Sequence, residues 1–401
     1  MQAEYPILIA LGALLILSPL VKSLMERLGI PAMVGYIILG LLAGSINQQW
    51  NFVTPRFDQT FTILAQLGVV ALLFRVGLKS HTRALLKKLP DASLIWLSDV
   101  FTNLVLGFIV AYYVLGLPLE TSLVIATAFS ATSVAVSVGL LDNMHKLNTA
   151  RGQLLVDIAE LDDLSGVLLL AILTAVISVL QQNSHESIFA VISITTFTTF
   201  LKLVLFIIGC YLFSHYLERS FTHFNRKWEN STTGLTISVL GAGLAIAAIA
   251  GYLGFSLAIG ALFAGLAFSR DPDAVRTDAK FTYFYEFLTP FFFINIGIQI
   301  DPATLIPSLG IVLILLIPAI LGKFIGVATP ALRIMKKHNA ALLGISMIPR
   351  AEIAMVIMYQ CHLLGEEVVP DEIFAAMVIV AVITSIFAPL VLRFAFPRQP
   401  V

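Results

Sequence analysis

The sequence predicts an all-α polytopic membrane protein, and three observations carry the prediction. The 401 residues are 58% hydrophobic and 12% charged, with a mean hydropathy of +0.94, whereas soluble domains carry about 25% charged residues. Continuous apolar runs of about 20 residues, the length that crosses a bilayer as helix, recur from end to end. The runs do not alternate polar and apolar, as the strands of a membrane β-barrel would. Basic residues, finally, gather on alternate connections. Net charge is zero, so nothing points to a nucleic-acid partner.

Thirteen spans are expected, at about 5–21, 31–46, 60–78, 91–116, 119–141, 152–180, 188–216, 233–251, 253–269, 283–300, 304–332, 339–361 and 372–394. The first opens as MQAEYPILIALGALLIL, with no basic residue ahead of the apolar run, and reads as a span rather than a signal peptide. With the N-terminus outside, the inner connections and the C-terminal tail hold 19 of the 24 Lys and Arg residues, the outer loops hold only Arg56, and Arg75, Lys202, Lys323 and Arg350 fall within spans. That asymmetry follows the positive-inside rule. It predicts a multi-pass protein of the inner (cytoplasmic) membrane with its C-terminus in the cytoplasm.

Thirteen spans also suggest two inverted repeats, about 5–180 and 233–394, with span 7 (about 188–216) as the linker. Such repeats place substrate sites near the midplane, at interrupted helices in matching positions of each half. Span 5 contains FSATSVAVSVG and span 12 contains GISMIPRAEIAM. Each is fifth in its half, and each carries a break signal, a Ser/Thr cluster in one and Pro349 in the other. The whole of 1–401 reads as a single membrane domain with no soluble domain, the longest connection being 217–232. No Gly-rich strand–turn–helix unit and no P-loop is present, so nucleotide hydrolysis, and enzymatic activity generally, is not expected. Cys210 and Cys361 lie inside apolar runs and read as core thiols.

Ionisable groups at bilayer depth cost several kcal/mol and mark function by default. Span 6 reads GQLLVDIAELDDLSGVLLLAIL. Asp162 and Asp163 lie about 15 Å in from its cytoplasmic end, near the midplane. Adjacent helical residues point about 100° apart, so one can hold a cation while the other takes a different partner. Glu160 shares a face with Asp163, and Asp157 lies nearer the cytoplasm. These two acids make a possible vestibule. Lys323 in span 11 is too deep to snorkel and needs a partner; Asp162 is the expected one, and such a pair can exchange protons. Arg350 and Glu352 at the span 12 break read as a clamp on the crossover, with Glu286 a possible partner. Thr132 and Ser133, with unwound carbonyls, could complete a hard-cation site around Asp163. Asn295 is a weaker polar candidate. Arg75, Lys202 and Asp99 have no partner that the sequence names.

At these residues the chain resembles a known family. TSVAVSVGLL followed by ELDDLSGVLLLAI is similar to the broken helix and double-aspartate helix of the monovalent cation:proton antiporter-2 family. FLTPFFFINIGIQID and MIPRAEIAM resemble its later signature segments, the last usually reading MIPRGE, so Ala351 stands where glycine is usual. The resemblance spans essentially the whole chain. It implies the sodium/proton antiporter fold, with crossed broken helices, and a homodimer whose mobile core domain slides like an elevator. It makes Asp163 the ion- and proton-binding carboxylate and metal ligand for the transported cation, Asp162 the partner of Lys323, and Thr132 and Ser133 part of the crossover. Kef-type potassium/proton antiporters are related but usually carry Gln-Asp in span 6 and a nucleotide-binding C-terminal domain.

The expected function is exchange of Na+ or Li+ for protons, probed by Asp163→Asn, with an electrogenic cycle if Lys323 titrates. No cofactor is expected beyond the transported ions. Potassium/proton exchange on the same scaffold is the alternative. A channel, a sodium-coupled organic-solute carrier and a non-transporting sensor are more distant readings.

Overall fold

The computed structural model describes residues 5–50, 55–79, 82–133, 150–181, 188–228, 232–269 and 278–395, and these are almost entirely helical. The helices are α1 (Tyr5–Leu28), α2 (Ala32–Trp50), α3 (Pro55–Lys79), α4 (Thr82–Ile109), α5 (Leu119–Ser130), α6 (Ala150–Gln181), α7 (Ile188–Leu212) and α8 (Glu218–Trp228). They continue with α9 (Thr232–Tyr252), α10 (Leu257–Phe268), α11 (Asp278–Gln299), α12 (Pro302–Ala331), α13 (Lys337–Ser346), α14 (Glu352–His362) and α15 (Asp371–Ala395). A π-helical turn extends α4 over Val110–Val114, and another joins α7 to α8 over Phe213–Leu217.

The described parts of the expected spans are mostly helix; the twelfth is interrupted at 347–351, the fifth leaves the helix after Ser130, and its second half, from 134, lies outside the described residues. On length and composition alone, seven of the described helices can cross a bilayer. The expected long connection at 217–232 is instead mostly α8. Its sequence ERSFTHFNRKW hides a helical spacing of aromatics at 221, 224 and 228. Phe221 packs its ring near Phe213 and Phe268, at centroid distances of 6.4 and 6.0 Å.

Two compact units divide the chain. The first takes residues Met1–Ile16, Asn47–Ala84 and Ala171–Asn295. Here glycine lets helices meet backbone to backbone, as van der Waals packing between membrane helices requires. A Cβ on Gly77 of α3 would collide with the Leu262 carbonyl of α10, and one on Gly265 with the Phe74 carbonyl. Phe74 also packs against Phe281, with centroids 5.5 Å apart. Arg75 gains the partners that the sequence did not name: its Nη2 donates to Thr282 Oγ1 at 3.2 Å, and its guanidinium lies 4.3 Å from the centre of the Tyr285 ring. A cation over an aromatic face is attracted by the ring quadrupole.

The second unit takes Leu17–Ile46, Leu85–Leu170 and Ile296–Val401. Its central element is α12, whose two sides differ sharply. Ile306, Leu313 and Ile317 are 79%, 66% and 62% exposed, while Leu315, Ala319 and Lys323 are completely buried. In water so apolar a face would be a liability; against lipid it is the ordinary exterior. Beside the site described next, Ala92, Ile95, Leu155, Ile158, Val327, Leu343 and Met347 form an apolar cluster drawn from α4, α6, α12 and the α13 end.

Candidate ion-binding site

Two helices of the second unit stop short. After Ser130 the α5 chain turns extended at Ala131 (φ −74°, ψ 144°). Between Ser346 and Glu352, residues 347–351 leave the helix, because proline disfavours helical geometry in the residue before it and has no N–H to donate. Ser133 N donates to Pro349 O at 2.8 Å, so the two breaks are bonded to each other. The sequence places a break in each of these spans; the continuation of span 5 lies outside the described residues. Ala351, in the usual glycine position, has φ −141°, outside the left-handed region that calls for glycine.

A helix break leaves carbonyls without partners at the negative end of the helix dipole, where cations are favoured. Both buried cations answer that need. Arg350 Nη1 donates to Phe129 O and, at 3.4 Å, to Ala131 O. Lys323 Nζ donates to Ser130 O at 2.6 Å. Arg350 Nη2 further reaches Ala319 O at 2.8 Å and Asn103 Oδ1 at 3.0 Å. The guanidinium lies 4.7 Å from the Phe129 ring centre. Arg350 therefore ties α4, α5 and α12 to the α13–α14 break. Glu352 serves differently: its Oε2 accepts from Ser133 Oγ at 2.8 Å, in the first turn of α14. An acid there faces the positive end of the helix dipole.

Asp162 and Asp163, on α6, are 0% and 6% exposed. Asp162 Oδ2 accepts from Lys323 Nζ at 2.8 Å and from Thr132 Oγ1 at 2.6 Å. Its Oδ1 is buried with no hydrogen-bond partner among the described residues. Such an oxygen is a costly feature in a fold, and it is chemically fit to take a proton or a hard monovalent cation. Ser165 Oγ, one turn on, donates to Asp162 O at 3.0 Å and accepts from Trp96 Nε1 at 3.1 Å, fixing that turn against α4.

The expected Lys323–Asp162 pair is thus present, but Lys323 has a second acid. Its Nζ lies 2.6 Å from Asp99 Oδ2, and all three side chains are completely buried. The three N–H bonds of the ammonium are all used, on Asp99, Asp162 and Ser130 O. Asn103, one turn after Asp99, donates to Asp99 Oδ1 at 2.7 Å. Asp99 and Asn103 are what the sequence reading missed. Two signals were there: an acid at bilayer depth demands a partner, and Gly322 and Gly326 flank Lys323 in a small-xxx-small pattern that admits a neighbouring helix. Thr132 and Ser133, expected as oxygen ligands of a cation beside Asp163, donate instead to Asp162 and Glu352. Asp157 is half-buried on α6, and the side chain of Glu160 lies outside the described residues. Asn295 is buried near the end of α11.

The sequence pattern of the transmembrane sodium/hydrogen exchanger family matches residues 12–397, and the chain belongs to that family. The chain is 24% identical to the high-affinity Na(+)/H(+) antiporter NhaS3 of Synechocystis, over 91% of this chain and 80% of that one. It is 25% identical to the Na(+)/H(+)-K(+) antiporter GerN of Bacillus cereus, over 98% and 97%. Among solved structures, the sodium proton antiporter MjNhaP1 of Methanocaldococcus jannaschii shares the fold, with a TM-score of 0.70 at 17% identity, covering 98% of this chain and 96% of that one.

Proposed function

We propose that this membrane protein is a secondary antiporter that exchanges Na+ or Li+ for protons at Asp162 and Asp163. The observation that carries the reading is the buried acid pair beside the crossed breaks, with Asp162 Oδ1 free of any hydrogen bond among the described residues. A carboxylate so placed takes either a proton or a cation, and that competition couples the two fluxes. Asp163 is assigned as the main cation and proton ligand. Asp162 moves between Lys323 and the cargo, Thr132 and Ser133 shape the crossover, and Asp157 and Glu160 line the approach. Arg350 and Glu352 hold the breaks in place. Two carboxylates can carry two protons against one monovalent cation, so the cycle is proposed to be electrogenic.

The same reading proposes a single membrane domain of inverted repeats working by elevator-type alternating access. It also proposes a homodimer in the inner membrane, with the N-terminus outside. A second reading, potassium/proton exchange, is favoured by the Bacillus cereus relative, whose name includes potassium.

Proteoliposomes with an imposed pH gradient and an internal pH dye test the proposal. Sodium or lithium should collapse the gradient, and Asp163→Asn should abolish the response. A response to potassium alone would move the assignment to the second reading, and full exchange by the variant would refute the assigned carboxylate.

A further inference from the structure

Lys323 presents a difficulty for any cycle in which Asp162 is loaded. A proton or a cation on Asp162 cancels the charge that neutralises the ammonium. A buried ammonium stripped of its counter-ion is a strongly unfavourable state, and it would have to form on every turnover. The geometry around Lys323 removes the difficulty. Asp99 Oδ2 lies 2.6 Å from Nζ, closer than Asp162 Oδ2 at 2.8 Å. Asp99 sits on α4 rather than on the acid-pair helix, and its other oxygen is already held by Asn103 Nδ2 at 2.7 Å. Asn103 is held in turn by Arg350, which donates to its Oδ1 at 3.0 Å. Asp99 is therefore also anchored from its own helix, through Asn103 and Arg350.

A second, independent feature builds this contact. The α12 surface on either side of Lys323 is bare. A Cβ at Gly326 would lie 2.9 Å from Asp99 Cα, and one at Gly322 would lie 2.7 Å from Asn103 Oδ1. Side chains at either position would hold α4 off, so the two glycines, one helical turn apart, admit the backbone that carries Asp99. The charged groups on Lys323 are then Asp99 and Asp162, with Arg350 one asparagine away.

We propose that Asp99 is the resident counter-ion of Lys323, a positioning residue that keeps the ammonium paired while Asp162 is loaded and unloaded. This rests on the assignment of Asp162 and Asp163 as the exchanging carboxylates. Without Asp99, Lys323 has Asp162 as its one remaining anion among the described residues. The cation must then compete with the lysine for Asp162, so the penalty falls on cation binding rather than on turnover at saturation.

The experiment is a sodium titration of exchange in proteoliposomes for wild type, Asp99→Asn, Lys323→Gln and the double variant. Asp99→Asn should raise the KM for sodium by about tenfold or more, with kcat kept within a few-fold. The double variant, which removes ammonium and counter-ion together, should return KM close to the wild-type value. An unchanged KM in Asp99→Asn, or a double variant no better than the single, overturns the proposal. If Asp99→Asn yields no folded protein, thermal melting in detergent decides. Recovery of a cooperative melt in the double variant supports the counter-ion role, and no recovery contradicts it. Wild type inert to every cation would instead sink the antiporter reading itself, and this inference with it. Active wild type with an indifferent Asp99→Asn would sink only the inference.

Discussion

Arg350 is completely buried and makes hydrogen bonds to three backbone carbonyls and one asparagine. A guanidinium fork reaches acceptors on opposite sides at once, whereas an ammonium is a point donor on a flexible stem. Arg350→Lys should therefore leave break carbonyls unpaired and destabilise the fold by about 3 kcal/mol, within the range for disrupting a buried charge network. The check is a lowered melting temperature of purified protein in detergent; an unchanged melt would mean that the clamp is dispensable. Ser133→Ala removes the hydroxyl that donates to Glu352 Oε2. The loss should cost about 1–3 kcal/mol, the penalty for an orphaned buried acceptor. Ser133→Thr, which keeps the hydroxyl, should recover most of it in the same melting assay.

At the scale of elements, close helix approach depends on particular glycines. Gly326→Ala places a methyl group 2.9 Å from Asp99 Cα and 3.3 Å from Thr102 Cβ. Backbone must shift to admit it, so the variant should expand the α4–α12 contact and lower sodium affinity along with stability. Gly310, on the same helix, has open space where a methyl group would stand, with no atom beyond its own stretch of helix within 4 Å, and Gly310→Ala should leave both unchanged. Parallel sodium titrations of the two variants check the contrast.

Most elements were legible in the sequence because hydropathy period and proline are local signals. Pro349 announced one break and the Ser/Thr cluster after Phe129 the other. The Lys323–Asp162 pair was legible because a lysine at depth demands an acid and the double aspartate offered one. Asp99 was not, since its partner lies 224 positions away and nothing local says which helix α4 faces. Helix α8 escaped for a different reason: its polar composition resembled a connection, although its aromatics kept helical spacing.

At the scale of the whole molecule, Asp99, Asp162, Lys323 and Arg350 of the second unit form one connected set. Arg350 bonds Asn103, Asn103 bonds Asp99, and Lys323 joins Asp99 to Asp162, which Thr132 also holds. The set spans α4, both breaks, α6 and α12. It leaves one donor, Arg350 Nε, and one acceptor, Asp162 Oδ1, without a hydrogen bond among the described residues. A network satisfied everywhere would rigidify the core; one with a buried open acceptor is suited to a cargo that comes and goes. The central claim is that protons and sodium share one carboxylate site, at Asp163 and Asp162. The most direct measurement is the initial rate of sodium-driven proton exchange in proteoliposomes, as a function of sodium at a series of pH values on the same side. Competition predicts that the apparent KM for sodium rises with proton concentration while the maximal rate stays constant. A KM independent of pH, with only the maximal rate changing, would contradict a shared site.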